Sequence, residues 1–453
     1  MNSRQHKAKV DRTRLLAYDL ISQVNREGAY ANIRLPQLLA DSDLDQRERG
    51  LATELSYGTL RMQGKYDYAI AKKSDRSLDL IDGKVLDVLR LALHQIYSMR
   101  IPDHAAVDES VELARYVGGE SKATYVNALL RAITGDEGVF DDINGLPFAE
   151  KLSIAHSHPK WIVSALFDQL KSWESVEELL RSNNEAASPH LVAWPGKSSV
   201  AELVAVGGEE IPETRFGVVS SRAPYEYEAI NQRRAGVQDR GSQIVAESFF
   251  NTSRLAGDQP LRWLDMCAGP GGKAALLYNL IETERPQDSF TANEPWEHRA
   301  ELLARVVPRS KIVEHDGRNP KDFQGPFDRI LIDAPCTGLG ALRRRPEARW
   351  RRTPSDLKEL VSLQRELLSS GYELLAPGGV LGYATCSPHL AETVGQVLDF
   401  RHRHKDALLL NTVEFLNRAL PNTSEAGALQ LWTHIHGSDA MFLALFQKPS
   451  LSI

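Results

Sequence analysis

The stretch Leu261-Arg-Trp-Leu264 followed by Asp265-Met-Cys-Ala-Gly-Pro-Gly-Gly-Lys273 decides the fold. Its first four residues are mostly large and apolar and read as a short buried strand, and the glycine-rich turn after them feeds an apolar helical segment over 273–282. Glycines in such a turn permit positive φ and let the backbone approach a ligand closely. The rhythm then repeats: Ser289-Phe-Thr-Ala292, Lys311-Ile-Val313, Arg329-Ile-Leu-Ile332 and Val380-Leu-Gly-Tyr383 read as further strands, with helical segments at 296–306 and 354–375 between them. A β-α-β-α-β order predicts a parallel, doubly wound α/β sheet. Such sheets bind ligands at the carboxyl ends of their strands.

Those strand ends carry reactive and acidic side chains. Glu294 stands about twenty residues beyond the glycine turn, where an acid can take both hydroxyls of a ribose, so the pair of features points to an adenosine-containing cofactor. The dinucleotide fingerprint is absent, because Gly269-Pro-Gly-Gly272 has the wrong spacing and its proline removes an amide donor that a pyrophosphate would need. S-adenosylmethionine has no phosphate and fits better. Asp316, in Glu314-His-Asp316-Gly317, could accept from an adenine amino group. Asp333-Ala-Pro-Cys-Thr-Gly338 and Ala384-Thr-Cys-Ser387 end the next two strands and place Cys336 and Cys386 beside the proposed methyl donor. A lone cysteine is most simply a small buried hydrophobe, but two of the chain's three at one edge weigh towards chemistry. C5 of cytosine is a poor nucleophile until a thiolate adds to C6 and an acid near N3 stabilises the developing charge. Asp333, Cys336 and Cys386 supply that set.

Outward from this region the chain changes character. At 453 residues it exceeds one ordinary core, and 42% hydrophobic with 25% charged residues excludes a disordered or low-complexity chain. Its net charge of −6 means that nucleic-acid affinity must come from local patches. Val85, Leu89, Ala92, Leu93 and Ile96 form one helical stripe, and similar stripes span 15–24, 51–60 and 107–117, with breaks at Gly28, Ser42-Asp43, Ile101-Pro102 and Gly118-Gly119. An all-α domain of five to seven helices is expected over 1–140. The Gly- and acid-rich stretch 135–150 reads as a linker. Residues 141–240 read as a small α+β connector, with a helical stretch over 161–180 and β-like runs at 190–194 and 215–219, and 241–453 read as the α/β domain. The three separated cysteines suit a reducing compartment, and with no apolar leader and no stretch of 18 apolar residues the expectation is a cytoplasmic monomer with no membrane contact. Three His-x-His pairs (His156 and His158, His402 and His404, His434 and His436) lack nearby cysteine or carboxylate ligands, so no metal is expected.

DMCAGPGGK, DAPCTGLG and ATCS resemble motifs I, IV and VI of the RNA cytosine-5 methyltransferases. The resemblance implies a Rossmann-like methyltransferase domain using S-adenosyl-L-methionine. It makes Cys386 the nucleophile, Cys336 the residue assisting breakdown of the covalent adduct, and Asp333 the contact to the cytosine ring. The cofactor loop carries over as Cys267, Ala268, Gly269, Pro270, Gly271, Gly272 and Lys273, with Glu294, Asp316 and Asp333. The helical front resembles NusB, an RNA-binding factor, through its pattern and Tyr125-Val-Asn-Ala-Leu-Leu-Arg131, and the fusion is similar to small-subunit rRNA methyltransferases of the RsmB (Sun/Fmu) type. Gly269, Ala274 and Glu294 depart from the alanine, threonine and aspartate usual in the family. Beyond T-C-S, only Glu392 matches the usual E-N-E.

Arg343-Arg-Arg-Pro-Glu-Ala-Arg-Trp-Arg-Arg352 holds six arginines against one acid. Arginines clamp phosphates and tryptophan stacks bases, so Arg343, Arg344, Arg345, Arg349, Trp350 and Arg351 are the leading candidate RNA contacts, the simpler reading being a solvated basic helix end. Arg4, Lys7, Lys9, Arg12 and Arg14 suggest a second patch. Alternatives are a methyltransferase acting on tRNA, on a DNA base or on an amine, which would have no use for two cysteines in the last case, and a non-catalytic RNA-binding assembly factor.

Overall fold

The computed structural model describes residues 10–421, 423–425 and 427–450, so Arg4, Lys7 and Lys9 lie outside the described residues. The chain divides into two units. One holds the described residues through Glu185 together with Leu342–Arg351, and the other holds Ala186–Ala341 with the chain from Arg352 onward.

The first unit is helical: α1 (Arg12–Glu27), α2 (Ala31–Ala40), α3 (Gln46–Lys73), α4 (Gly83–Tyr97), α5 (Asp103–Gly118), α6 (Glu120–Thr134), α7 (Phe148–Ala155), α8 (Lys160–Leu170) and α9 (Trp173–Asn184). Local chemistry sets the ends. Asp11, Asp45 and Asp82 accept backbone N–H groups of the first turns of α1, α3 and α4, and Glu48 returns the bond to Asp45 N, closing a capping box. Gly28 closes α1 in the left-handed region at φ 75°. The stripe on α4 buries Val85, Leu89, Ala92 and Leu93 completely or nearly so, with Ile96 at its margin.

The helical unit does not stop near residue 140. Val139 and Ile143 are buried, Lys72 pairs with Asp142 and donates to Val139 O, and Lys73 pairs with Asp136, so the expected linker is packed along α3. The stretch expected as one helix over 161–180 is two, broken where Lys171 turns left-handed at φ 54° and Ser172 caps α9. These helices belong with the front unit and the strands after them with the second unit, so 141–240 is no separate domain.

Leu342–Arg351, the arginine-rich segment, lies in the helical unit. Arg349 is fully buried and donates to Ser157 O (3.0 Å), Asn184 Oδ1 (2.8 Å) and Arg61 O (3.3 Å). Burial pulls its guanidinium down to about 9, with no carboxylate close enough to restore it fully. Arg351 donates to Val24 O (2.7 Å) and Gly28 O (3.1 Å), carbonyls left open at the C-terminus of α1. Trp350 lies against Gly64, where a Cβ would meet its ring at 2.3 Å. Arg349 is therefore corrected from an RNA contact to a structural side chain, and Trp350 and Arg351 are engaged inside the protein. Arg345 is exposed and Arg343 and Arg344 partly so.

The second unit begins with a small antiparallel sheet of order β2-β3-β1-β4, made of β1 (His190–Ala193), β2 (Gly208–Glu210), β3 (Gly217–Ser220) and β4 (Ala235–Val237). The main sheet follows: β5 (Arg262–Asp265), β6 (Ser289–Asn293), β7 (Lys311–Val313), β8 (Phe327–Asp333), β9 (Leu375–Thr385), β10 (Leu408–Leu410), β11 (Ser424–Glu425), β12 (Ala428–Gln430) and β13 (Phe442–Gln447), in the order β11-β12-β13-β9-β8-β5-β6-β7 with β10 on β13. The five expected strands, β5 to β9, are parallel. The remainder are antiparallel, so the sheet is mixed, a correction to the all-parallel expectation.

Alternation along each strand builds two cores. Trp263, Leu331, Val380, Leu443 and Leu445 face α10 (Arg240–Phe250) and α11 (Gly272–Glu284). Leu264, Ile330, Ile332, Leu381, Phe442 and Ala444 face α13 (Pro354–Leu374) and α14 (Val394–Arg403), while α12 (Glu297–Ala304) joins the first face through Leu303. Strand order reverses between β8 and β5, which opens a ligand crevice at their carboxyl ends.

Replacing Arg349 by Ala removes its bonds to Ser157 O, Asn184 Oδ1 and Arg61 O and should destabilise the helical unit by about 2–3 kcal/mol, a fall of roughly 5–10 °C in Tm. Arg345→Ala, at an exposed position, should change it by no more than about 0.5 kcal/mol. Thermal melts of the two variants followed by circular dichroism check both.

Candidate active site

The carboxyl ends of β5, β6, β8 and β9 bring together most of the residues singled out in the sequence. The glycine turn is shaped by close approach. A Cβ on Gly269 would lie 2.2 Å from the Glu294 carboxylate, and Gly271 stands at φ 117° with Val306 2.5 Å from where its Cβ would be. Only glycine fits at either place. Glu294 is 2% exposed; its Oε1 accepts from Trp296 N (3.1 Å), and its Oε2 pairs with Arg299 (3.2 Å), which also donates to Gly269 O. The acid and the turn are thus one preformed cradle.

Asp265 closes the floor of this cradle. It is buried, its Oδ1 accepts from Cys267 N (3.3 Å), and its Oδ2 has no partner. Burial, and then the charge of Asp333, push its carboxyl up to about 8. The orphaned oxygen fits a polar ligand group lying over the glycine turn. Burial likewise holds the Cys267 thiol well up, so it is an inert wall. Asp316 is partly exposed and accepts from Arg318 N (3.0 Å) and from the Arg318 guanidinium (2.6 Å). An adenine amino group there would share the carboxylate with that arginine.

At the centre Lys273 donates to Asp333 Oδ2 (2.9 Å). Burial alone would lower the ammonium, but the bond to and charge of Asp333 outweigh it and Lys273 stays protonated. Cys336 Sγ and Cys386 Sγ lie 3.3 Å apart, both free and half-buried. The hydrogen bond with Cys336 brings the Cys386 thiol below its usual range against the effect of burial, and Lys273 helps. Cys336 moves the opposite way, through the same bond and through burial. Of the two, Cys386 is the more readily ionised.

Glu392 is the functional-site residue that sequence reasoning left without a role. It is fully buried, and the residue after Cys336, Thr337, donates to it through its backbone N (2.8 Å) and its hydroxyl. Gln364, on α13, also donates to it (3.1 Å), and no local signal marks that glutamine. Among the described residues no three or more His, Cys, Asp or Glu converge to hold a metal, and no helix is long and apolar enough to cross a membrane.

Comparison with known proteins fits this geometry. Residues 253–447 match the model of the 16S rRNA methyltransferase RsmB/F family, and residues 11–135 that of the NusB family. A Bacillus subtilis protein named "Probable ribosomal RNA small subunit methyltransferase B" is 30% identical over 96% of this chain and 98% of its own. The chain belongs to the RsmB/F family of 16S rRNA methyltransferases. A Mycobacterium tuberculosis protein named as a methyltransferase is 42% identical over 97% of both chains. The crystal structure of PH0851 has the same fold, with a TM-score of 0.81 and 21% identity over 97% of this chain and 99% of that one. NSun6 from Pyrococcus horikoshii, solved with SFG, follows at a TM-score of 0.55 and 16% identity over 64% of this chain and 98% of that one. Within this RNA methyltransferase the helical front is a NusB domain and the mixed sheet is the methyltransferase domain.

Because the folded Asp265 titrates near 8 and an unfolded aspartate near 3.8, the stability it contributes is whole below about pH 4 and is lost as pH rises through about 8. Asp265→Asn removes that titration. The Tm of the variant relative to wild type should rise steadily between about pH 4 and pH 8, as melts across that range would show.

Proposed function

We propose that the protein transfers a methyl group from S-adenosylmethionine to C5 of a cytosine in small-subunit rRNA, through a covalent bond between Cys386 and C6. The observation that carries this is the cysteine pair, 3.3 Å apart at adjacent strand ends that also bring in the Asp333–Lys273 pair. An enzyme methylating an amine needs a lone pair and a positioned donor, and has no work for two thiols.

Glu294 is assigned to the ribose hydroxyls, Asp316 to the adenine amino group, and the turn from Cys267 to Lys273 to the rest of the cofactor, with Asp333 at the boundary between cofactor and base. The bound cofactor supplies an electrophilic methyl group. The protein does the rest. Cys386, as thiolate, adds to C6 and makes C5 enamine-like, while Asp333, held by Lys273, faces the ring where charge develops. Once C5 carries the methyl group, a base at the site takes its proton, the electrons re-form the C5–C6 double bond, the C6–S bond breaks, and the Cys336 thiol stabilises the departing Cys386 thiolate by donating to it. Arg343, Arg344 and Arg345 remain candidates for phosphate contact.

Glu294→Ala should weaken S-adenosylmethionine binding by about 1.5–3 kcal/mol in calorimetry, the range of hydrogen bonds to a charged group. Unchanged affinity removes the pocket assignment.

The mechanism is tested with small-subunit rRNA carrying 5-fluorocytosine, in which C5 has no removable proton, so the wild type should remain attached to C6 on a denaturing gel. Cys386→Ala should form no adduct and transfer no methyl group. Cys336→Ala should attack yet release slowly, and so accumulate an adduct on ordinary cytosine. Crosslinking by Cys386→Ala but not Cys336→Ala reverses the two roles, and no crosslink in any of them refutes the covalent route.

A further inference from the structure

Two cysteines 3.3 Å apart compete for a proton once one of them ionises, and the groups around them bias which keeps it. Glu392 is one of these groups. It ends the short turn Leu390–Glu392 after β9 and is fully buried. Its carboxylate accepts from Thr337 N (2.8 Å), the Thr337 hydroxyl and Gln364 Nε2 (3.1 Å), and Gln364 also donates to Pro335 O (2.8 Å). Both residues flanking Cys336 are therefore tied, directly or through Gln364, to one carboxylate carried by the chain that follows Cys386. Ser387, next to Cys386, has its hydroxyl 3.2 Å from that of Thr337, and Tyr383 OH donates to Glu392 O (2.8 Å). Gly340 N donates to Cys386 O (2.9 Å), and its missing side chain lets Ala440 O approach within 2.1 Å of where a Cβ would stand.

The charges around the pair are unevenly placed. Lys273 on α11 draws Cys386 towards the thiolate, whereas Asp333 on β8 and Asp439 before β13 oppose it. Cys336 is raised first by its bond to Cys386 and by burial, Glu392 adds to both, and Gly338 N–H opposes them. Tyr383 on β9 is pushed up by burial and stays neutral. A carboxylate tied to the loop of one thiol, and an ammonium that acts on the pair, bias where its proton resides.

We propose that Glu392 is the positioning residue of the cysteine pair: directly through Thr337 and by way of Gln364 it holds the Cys336 loop against the strand end that carries Cys386, with its carboxylate on the Cys336 side of the pair. This rests on the reading of Cys386 as the nucleophile. Glu392 touches neither base nor cofactor in this role; it acts through Cys336 and Thr337.

The test is iodoacetamide labelling of the full-length protein across a pH series, with each cysteine followed by peptide mass spectrometry. In wild type, Cys386 should label at least about tenfold faster than Cys336 near neutral pH, and its rate should reach half-maximum at lower pH, because only thiolates react. In Glu392→Gln the half-maximum for Cys336 should move to lower pH and the rate ratio shrink to about threefold or less, as loss of a neighbouring charge requires. Thr337→Val, which keeps the carboxylate, should retain the wild-type ratio. A Glu392→Gln protein that melts like wild type but keeps its labelling ratio overturns the proposal, as does an equal loss of the ratio in Thr337→Val. Should Glu392→Gln not fold, wild type decides alone: half-maxima that coincide, or come first at Cys336, overturn it. A wild type that crosslinks 5-fluorocytosine through Cys386 but fails these tests loses only this proposal, whereas a wild type that never crosslinks loses the covalent reading instead.

Discussion

Everything at the active edge depends on the parallel pairing of β8 with β9, in which Asp333 stands opposite Ala384. Backbone bonding continues past the strand ends, with Ala334 N donating to Ala384 O (2.9 Å) and Gly340 N to Cys386 O (2.9 Å). Two loops fifty residues apart in sequence thereby run side by side for several residues, and their cysteines meet. A slip of one residue in this register would shift the two loops against each other and separate the sulfurs.

Around that pairing the protein buries several ionisable side chains close together. Asp265, Lys273, Glu294 and Glu392 are all at most 9% exposed. Such groups are tolerated only where partners replace water. Lys273 has Asp333, Glu294 has Arg299 and Trp296 N, and Glu392 has Thr337 and Gln364. The Asp265 Oδ2 oxygen lacks a partner, and its carboxyl answers by holding its proton up to about pH 8. The site thus meets substrate with its electrostatics already arranged, which is what stabilising charge in a reaction demands.

The arginine-rich segment shows how local reading goes astray. Six arginines and a tryptophan within ten residues have the composition of a phosphate-binding loop, yet Arg349 is fully buried and Arg351 answers the open carbonyls of α1. Composition cannot distinguish an arginine that meets RNA from one that meets backbone oxygen, because the guanidinium offers the same donors to both. The linker at 135–150 misleads for a related reason: its glycines and acids are evident, but Val139 and Ile143 find α3 only once the chain has folded.

By itself the sequence determined the two kinds of architecture, the five parallel strands and the cluster at their ends, because periodicity, glycine turns and short motifs are local properties that survive without a partner. Cys336, Cys386, Asp333, Lys273 and Glu294 were legible for that reason. What only the tertiary structure decided is where the units divide, that β13 joins β9 to make the sheet mixed, which arginines are buried, and that the two cysteines meet beside the Glu392 network. Each of these depends on groups far apart in the chain. Gln364 reaches Glu392 from 28 residues away and Arg349 reaches Ser157 from 192, and a bond between such positions leaves no spacing to read.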